Sequence, residues 1–220
     1  MTLNLLSPLS RRERRRKETR ERIFRAAMTL FSERGFNATT IEDITEAADV
    51  GKGTFFNYFR AKEHVLGVFA EVQRGKVDAA LATARTGQEP VRETVFRLIH
   101  SLAEYPSRSQ VLTRSLLIAL LSSDDVRERL MTVLQEARGI LAEVFIIGQR
   151  RGELSPERDP ADLAIKFQQF MFGSLALWGL GVPKEFKPYL DRTFELFWAG
   201  ASSAVIPVPV RPEPPAPEQQ

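Results

Sequence analysis

Between residues 34 and 62 the chain reads RGFNATTIEDITEAADVGKGTFFNYFRAK, two short helical patterns joined by a tight turn, and no other stretch restricts the local architecture so narrowly. Just upstream, Ile23, Phe24, Ala27, Leu30 and Phe31 recur at helical spacing and give a first helix one apolar face. Gly35 stands where a helix C-cap favours a residue free to take positive φ. Thr40, with Asp43 three residues later, makes a capping-box-like start for a second helix that buries Ile41, Ile44, Ala47 and Ala48. That helix stops near Asp49-Val50-Gly51, where Gly51 permits a sharp turn. A third helix, from Lys52 or Thr54 to Tyr58, is anchored inward by Phe55 and Phe59 at i, i+4. Lys52, Thr54, Phe56, Asn57 and Tyr58 then face outward or sideways, and two aromatics on so short a helix suit a macromolecular surface better than water. This is the layout of a helix-turn-helix, whose second short helix enters the DNA major groove.

Charge is distributed to match. Residues 1–62 carry 13 Lys/Arg against 8 Asp/Glu, whereas residues 63–220 carry 18 against 20, so a basic head sits on a mildly acidic body. The head alone is suited to a polyanion. Residues 1–16 read as a flexible basic arm, dense in arginine from Arg11 onward. Such a run is either a solvated helix extension or an arm that reaches phosphates or the adjacent minor groove.

Cysteine is absent, which excludes disulfides, thiolate metal sites and cysteine nucleophiles. The apolar stretch Leu3–Leu9 is too short for a signal peptide and precedes the basic run instead of following it. The longest apolar stretch, Phe170–Val182, falls short of the roughly 20 residues that span a bilayer. The sequence therefore reads as a cytoplasmic protein with no membrane association.

The body, residues 78–205, shows helical periodicity and no convincing alternation of strand type. A connecting helix from Ala61 carries Val65, Leu66, Phe69 and Val72 on one face, and its Gly67 and Gly75 suit close helix packing. Further stripes include Val95, Leu98, Ile99 and Leu102, then Leu112, Leu116, Ala119 and Leu120, then a long run from Leu130 to Phe145. Pro160 opens the next helix in a favoured position. From Phe170 that helix is apolar almost all round, and the last helix brings Phe194, Phe197 and Trp198. A helix apolar on every side must be covered on every side. Either a partner subunit covers it, with Trp178, Phe194, Phe197 and Trp198 at a dimer interface, or it is central to a monomeric core. Residues 206–220 are Pro-rich with Glu and Gln, a disordered-tail composition.

Catalytic and metal chemistry find little support. Gly51-Lys52-Gly53-Thr54 fails the phosphate-loop pattern, which needs Gly-Lys followed directly by Ser or Thr and a preceding strand. The two histidines, His64 and His100, have no ligand-like spacing, so no metal site and no cofactor are expected. No nucleophile elbow or shielded carboxylate pair stands out, and no catalytic residues are assigned.

At the head the chain resembles a known family. Arg22-Ile23-Phe24-Arg25-Ala26-Ala27, Leu30-Phe31, Arg34-Gly35-Phe36, Thr40-Ile41-Glu42-Asp43-Ile44, Ala47-Ala48, Val50, Lys52-Gly53-Thr54 and Tyr58-Phe59 through Lys62-Glu63 are similar to the N-terminal domain of tetracycline-repressor-type (TetR family) regulators. The resemblance covers residues 17–77, with the helix-turn-helix at about 40–59. It implies an all-α protein, a three-helix DNA-binding domain followed by a helical ligand-binding and dimerisation domain. It also implies that Lys52, Thr54 and Tyr58 contact phosphate, that Thr40 and Lys62 contact the flanks, and that Gly53 lies where backbone nears DNA. Asn57 takes the position of variable base readout, where an amide can pair with adenine. Phe56 departs from the family's usual Tyr, which removes one phosphate hydrogen bond. The resemblance further implies a homodimer on a palindromic double-stranded operator, acting as a repressor released by a small, apolar effector. His100, Phe145, Phe167, Gln168, Met171 and Trp178 are the candidate pocket residues, with plain core as the competing reading of each. The alternative function is a ligand-independent architectural protein whose body only dimerises.

Overall fold

A computed structural model describes residues 10–122, 124–182 and 184–203. Nine α-helices run through them: α1 (Arg11–Arg34), α2 (Ile41–Ala47), α3 (Lys52–Phe56), α4 (Leu66–Thr86), α5 (Val91–Ala103), α6 (Gln110–Ser122), α7 (Asp124–Arg150), α8 (Pro160–Gly179) and α9 (Phe186–Ser202). Single 3₁₀ turns occupy Lys62–Val65 and Pro106–Arg108, and no strand occurs among the described residues. The tail from 206, and positions 1–9 of the basic arm, lie outside the described residues.

The first helix is longer than its apolar stripe requires. Ser10 accepts a hydrogen bond from the Glu13 backbone N–H at 3.2 Å, and the Glu13 carboxylate accepts from Ser10 N–H at 2.8 Å. This reciprocal box starts the helix at Arg11, so residues 11–16, expected as a flexible arm, form its exposed opening turns. Arg20 then grips Glu71 of α4 with two bonds of 2.7 and 2.8 Å.

Two apolar cores form. In the body, Val95 and Ile99 of α5, Leu141 and Phe145 of α7, Phe167 of α8, and Leu190 and Phe194 of α9 are all but sealed from solvent. In the head, Ile23 and Phe31 of α1 meet Ile44, Phe55, Phe59 and Val65. Leu112 and Ala119 of α6 belong to this same cluster, so the head's core borrows from beyond residue 77. A head of this size buries too little surface for a substantial core without such help.

Caps and turns fix the joints. Pro90 at the start of α5 offers no side-chain cap; the Glu153 carboxylate, from the turn after α7, accepts from Val91 and Arg92 N–H at 2.9 and 3.0 Å instead. Gly35 ends α1 at φ 88°, as its sequence position suggested. The turn between α2 and α3 differs from expectation. Gly51 is extended, at φ −71°, and the left-handed residue is Asp49 at φ 50°. Asp tolerates that region better than most residues, so the turn does not depend on glycine. On α2, Thr45 is buried and Ala47 exposed, a small rotation from the stripe expected. The close packing anticipated at Gly67 and Gly75 is absent: a Cβ at either would meet nothing within 4 Å.

The last two helices also differ from expectation. Phe194 is fully buried and Trp198 nearly so within the chain's own core, and Phe197 packs among Phe145, Phe167 and Phe170 at ring separations of 6.0, 5.9 and 5.2 Å. Trp178 rests on Phe186 at 5.5 Å. Of the four side chains assigned from sequence to a dimer interface, Phe194 and Trp198 are buried in the chain's own core, and Trp178 and Phe197 are half-buried against it. The exposed apolar set is a different one: Ile165, Phe172 and Leu177 on α8, Leu180 just after it, and Leu196 on α9. With both faces apolar, periodicity alone could not say which would be inside. Among the described residues, no helix is long and apolar enough to cross a membrane.

Phe145 tests the body core. It is fully buried and contacts Phe167 and Phe197, so Phe145→Ala should destabilise the chain by about 3–5 kcal/mol in urea unfolding. A loss below about 1 kcal/mol would mean that the surrounding rings collapse freely into the vacated space.

Candidate nucleic-acid interface and a second site in the body

Helix α3 has only five residues, and its role follows from what holds it. Phe55 is fully buried and Phe59, in the turn after the helix, nearly so, their rings 5.6 Å apart. Fixed from below, the helix presents Lys52, Gly53, Phe56 and Asn57 to solvent, with Thr54 and Tyr58 half-buried at the sides. Phe56 is 47% exposed, a large apolar side chain with only an edge contact to Phe55 behind it.

Gly53 is informative because the fold does not ask for it. A Cβ there would meet nothing within 4 Å, and glycine in a helix costs about 1 kcal/mol relative to alanine. A side chain is affordable inside the molecule and is nonetheless missing on the exposed face.

The flanking candidates are more committed. Thr40 donates its hydroxyl to Asp43 at 2.7 Å and caps α2 through the Asp43 N–H at 3.1 Å. The bond from the Thr40 hydroxyl, with that from the Thr40 N–H, holds the Asp43 carboxyl below the usual carboxylate range, and Arg34 adds a contact at 3.1 Å. Lys52 pairs with Glu42 of α2 across exposed surface, and that bond lowers the Glu42 pKa. Lys62, the other flank candidate, is held from within the head. Its ammonium donates to the carbonyls of Phe36 and Thr39 at 2.8 and 2.9 Å and lies 4.4 Å from the Phe36 ring centre. It ties the entry of α4 to the turn after α1.

A second site lies in the body. A cavity of about 410 Å³ is enclosed by α4, α6, α7 and α8, with walls such as Phe69, Val77, Leu116, Leu134, Phe167 and Met171. Its ionisable side chains are His64, Glu71, Arg74 and Arg129. Gln168 lines it while donating to the Leu134 carbonyl at 2.8 Å; Gln73 donates to the Leu102 carbonyl at 2.7 Å and keeps a buried Oε1 without a partner.

Of the six pocket residues read from sequence, Phe167, Gln168 and Met171 line this cavity. His100 and Trp178 border a separate recess near the start of α9, where His100 faces Asp191 at 2.8 Å. Phe145 lines neither hollow and belongs to the core. The walls supplied by α4, α6 and α7 were missed, because their leucines read as ordinary core stripes. One signal was available: the LLIALL run of α6 is apolar on all sides.

Cavity and head meet at α6. Ser115 Oγ accepts the Phe36 N–H at 2.9 Å, in the turn that follows α1, and itself donates to the Val111 carbonyl at 2.8 Å. Ser109 Oγ lies 3.2 Å from Ser32 Oγ of α1 and caps Leu112 N–H at 3.0 Å. Leu116, Leu117 and Leu120, on the next turns, line the cavity.

A buried-based α3 with an outward polar and aromatic row, on a head carried by a helical body, defines a helix-turn-helix DNA-binding protein. Comparison with known proteins agrees. Residues 23–67 match the family model for bacterial regulatory proteins of the tetR family. The transcriptional regulator TcmR of Streptomyces glaucescens is 35% identical over 82 residues, 37% of this chain and 36% of that protein. The transcriptional repressor DhaR of Mycobacterium sp. strain GP1 is 28% identical over 155 residues, covering 68% of this chain and 76% of its own. The structure of Thermus thermophilus FadR in complex with lauroyl-CoA superposes with a TM-score of 0.61 at 29% identity, over 88% of this chain and 99% of that one. Residues 23–67 therefore carry a tetR-family DNA-binding domain, and the relatives that match along more of the chain are transcriptional regulators, not enzymes.

Gly53 yields a test with opposite signs. Gly53→Ala should raise the stability of the free protein by up to about 1 kcal/mol, since the methyl enters open space in a helix. It should weaken binding to duplex DNA, read by titration of a labelled duplex at fixed salt, if the phosphate backbone approaches Gly53 as the family resemblance implies. Undiminished DNA affinity would remove Gly53 from the interface.

Proposed function

We propose that the chain is a dimeric repressor that holds a palindromic operator through α3 and releases it when an apolar small molecule enters the α4–α8 cavity. The observation that carries this reading is the double engagement of α6, which walls the cavity with Leu116, Leu117 and Leu120 and holds the turn into the head through Ser115. A ligand that spreads the leucines has a direct mechanical route to Phe36 and from there to α2 and α3. The ligand-independent alternative gives the cavity no role. The repressor name of DhaR and the lauroyl-CoA held by the FadR repressor support the same assignment.

In this reading Asn57 reads a base edge, as an amide suits adenine, while Lys52, Thr54, Tyr58 and the Thr40 end of α2 meet phosphates. Lys52 must exchange Glu42 for phosphate, a modest cost for an exposed pair. Phe56 offers an aromatic edge to a thymine methyl. The helical arginines from Arg11 add sequence-independent affinity through phosphate neutralisation. Lys62 supports the head from within and contributes indirectly.

Dimerisation rests on the exposed apolar set of α8 and α9. Ile165 and Phe172 lie seven residues apart on one face of α8, Leu177 and the capping Leu180 lie three apart, and Leu196 on α9 is 77% exposed. Such a set, paired with its own copy about a two-fold axis, makes a four-helix bundle. Two heads then reach major grooves about 34–36 Å apart.

The experiment uses a duplex selected by the protein from a random pool. Leu177→Arg combined with Leu196→Arg changes exposed positions, so the helical content should persist while sedimentation gives a monomer and selective binding is lost. A folded monomer that still binds the selected duplex tightly would overturn the dimer model. Asn57→Ala should lose roughly 1–3 kcal/mol on the selected duplex and relax preference at one position per half-site. Equal weakening on random DNA would reassign Asn57 to the backbone.

A further inference from the structure

The proposed effector cavity has an asymmetric wall. Its interior is leucine, valine and phenylalanine from four helices, and its charged groups gather in one connected network. His64 meets Asp125 at 2.8 Å, Asp125 reaches Arg129 at 3.7 Å, and Arg74 reaches Asp78 and Glu136 at 3.5 and 3.7 Å. Arg129 and Arg74 both act electrostatically on Glu71.

The hydrogen bonds in this network are unevenly spent. Both oxygens of Glu71 are taken by Arg20, at 2.7 and 2.8 Å, which holds its carboxyl ionised and below the usual carboxylate range. Arg74 and Arg129 are served only by contacts of 3.5–3.7 Å, well outside the 2.7–2.9 Å of a charge-assisted bond. Asp78, Asp125 and Glu136 stand outside the cavity wall, so its charged lining residues include two arginines with guanidinium donors left over and one carboxylate already held by Arg20. A neutral chain leaves both forks idle. A carboxylate or phosphate matches the fork geometry.

We infer that the cavity takes an amphipathic anion, with an unbranched apolar chain inside the leucine-lined chamber and a carboxylate or phosphate group at Arg74 and Arg129. This rests on the effector reading above and specifies the ligand it admits. At about 30 Å³ per water-sized group, 410 Å³ holds roughly 13 such groups, a chain of medium length with its head.

The test is calorimetric titration of the full chain, without DNA, with decanoate, decyl phosphate, decanol and decyltrimethylammonium. Decanoate or decyl phosphate should bind at least about tenfold more tightly than decanol, and the cation least. Which of the two anions is preferred distinguishes a carboxylate from a phosphate head. Arg74→Gln with Arg129→Gln should erase the anion preference and leave decanol affinity unchanged, which also shows that the chamber is intact; Arg85→Gln, on an ion pair remote from the cavity wall, should change nothing. Decanol binding as tightly as the anions, or an anion preference that survives the double substitution, overturns the assignment of the head group and leaves the cavity as an effector site. Failure of every alkyl probe to bind removes the effector site itself.

Discussion

The buried hydrogen bond from Phe36 N–H to Ser115 Oγ is the contact on which the arrangement turns. A helix-turn-helix this small cannot stand on its own apolar surface, and its core closes only because Leu112 and Ala119 of α6 fill it. Ser115, between them on the same helix, fixes the turn that launches α2. The boundary between head and body is therefore a shared wall. Anything that moves α6 moves part of the head's interior, and the tight packing of protein cores leaves little room to absorb such a shift locally.

Much of the head was legible because its signals are local. Phe55 and Phe59 lie on the buried side as their spacing dictates, and Thr40 with Asp43 closes the capping box that the sequence spells out. Gly35 takes its left-handed geometry. The Ser10–Glu13 box that extends α1 was equally present in the sequence, hidden by the density of arginine around it. Where a turn's left-handed residue falls was harder, since Asp49 is permitted there while the neighbouring glycine is merely free.

The body was legible as helices and hardly further. Periodicity ranks residues as apolar or polar, and on α8 both faces are apolar, so the choice of Phe172 and Leu177 for the outside depends on what the other helices supply. A hollow is still less visible, because it is a shortage of side chains at a place created only when α4, α6, α7 and α8 come together. Lys62 shows the same limit for a polar group. A lysine beside a DNA-binding helix resembles a phosphate contact until the carbonyls of Phe36 and Thr39 are found around its ammonium.

The Arg20–Glu71 clasp gives the first helix a mechanical property. It fastens α1 to α4, one wall of the cavity, at a point nine residues from the helix start. At 1.5 Å per residue, Arg11 stands about 13 Å beyond that clasp on a continuous rod. The exposed arginines of its tip are thereby joined, through one rigid helix, to a wall of the cavity.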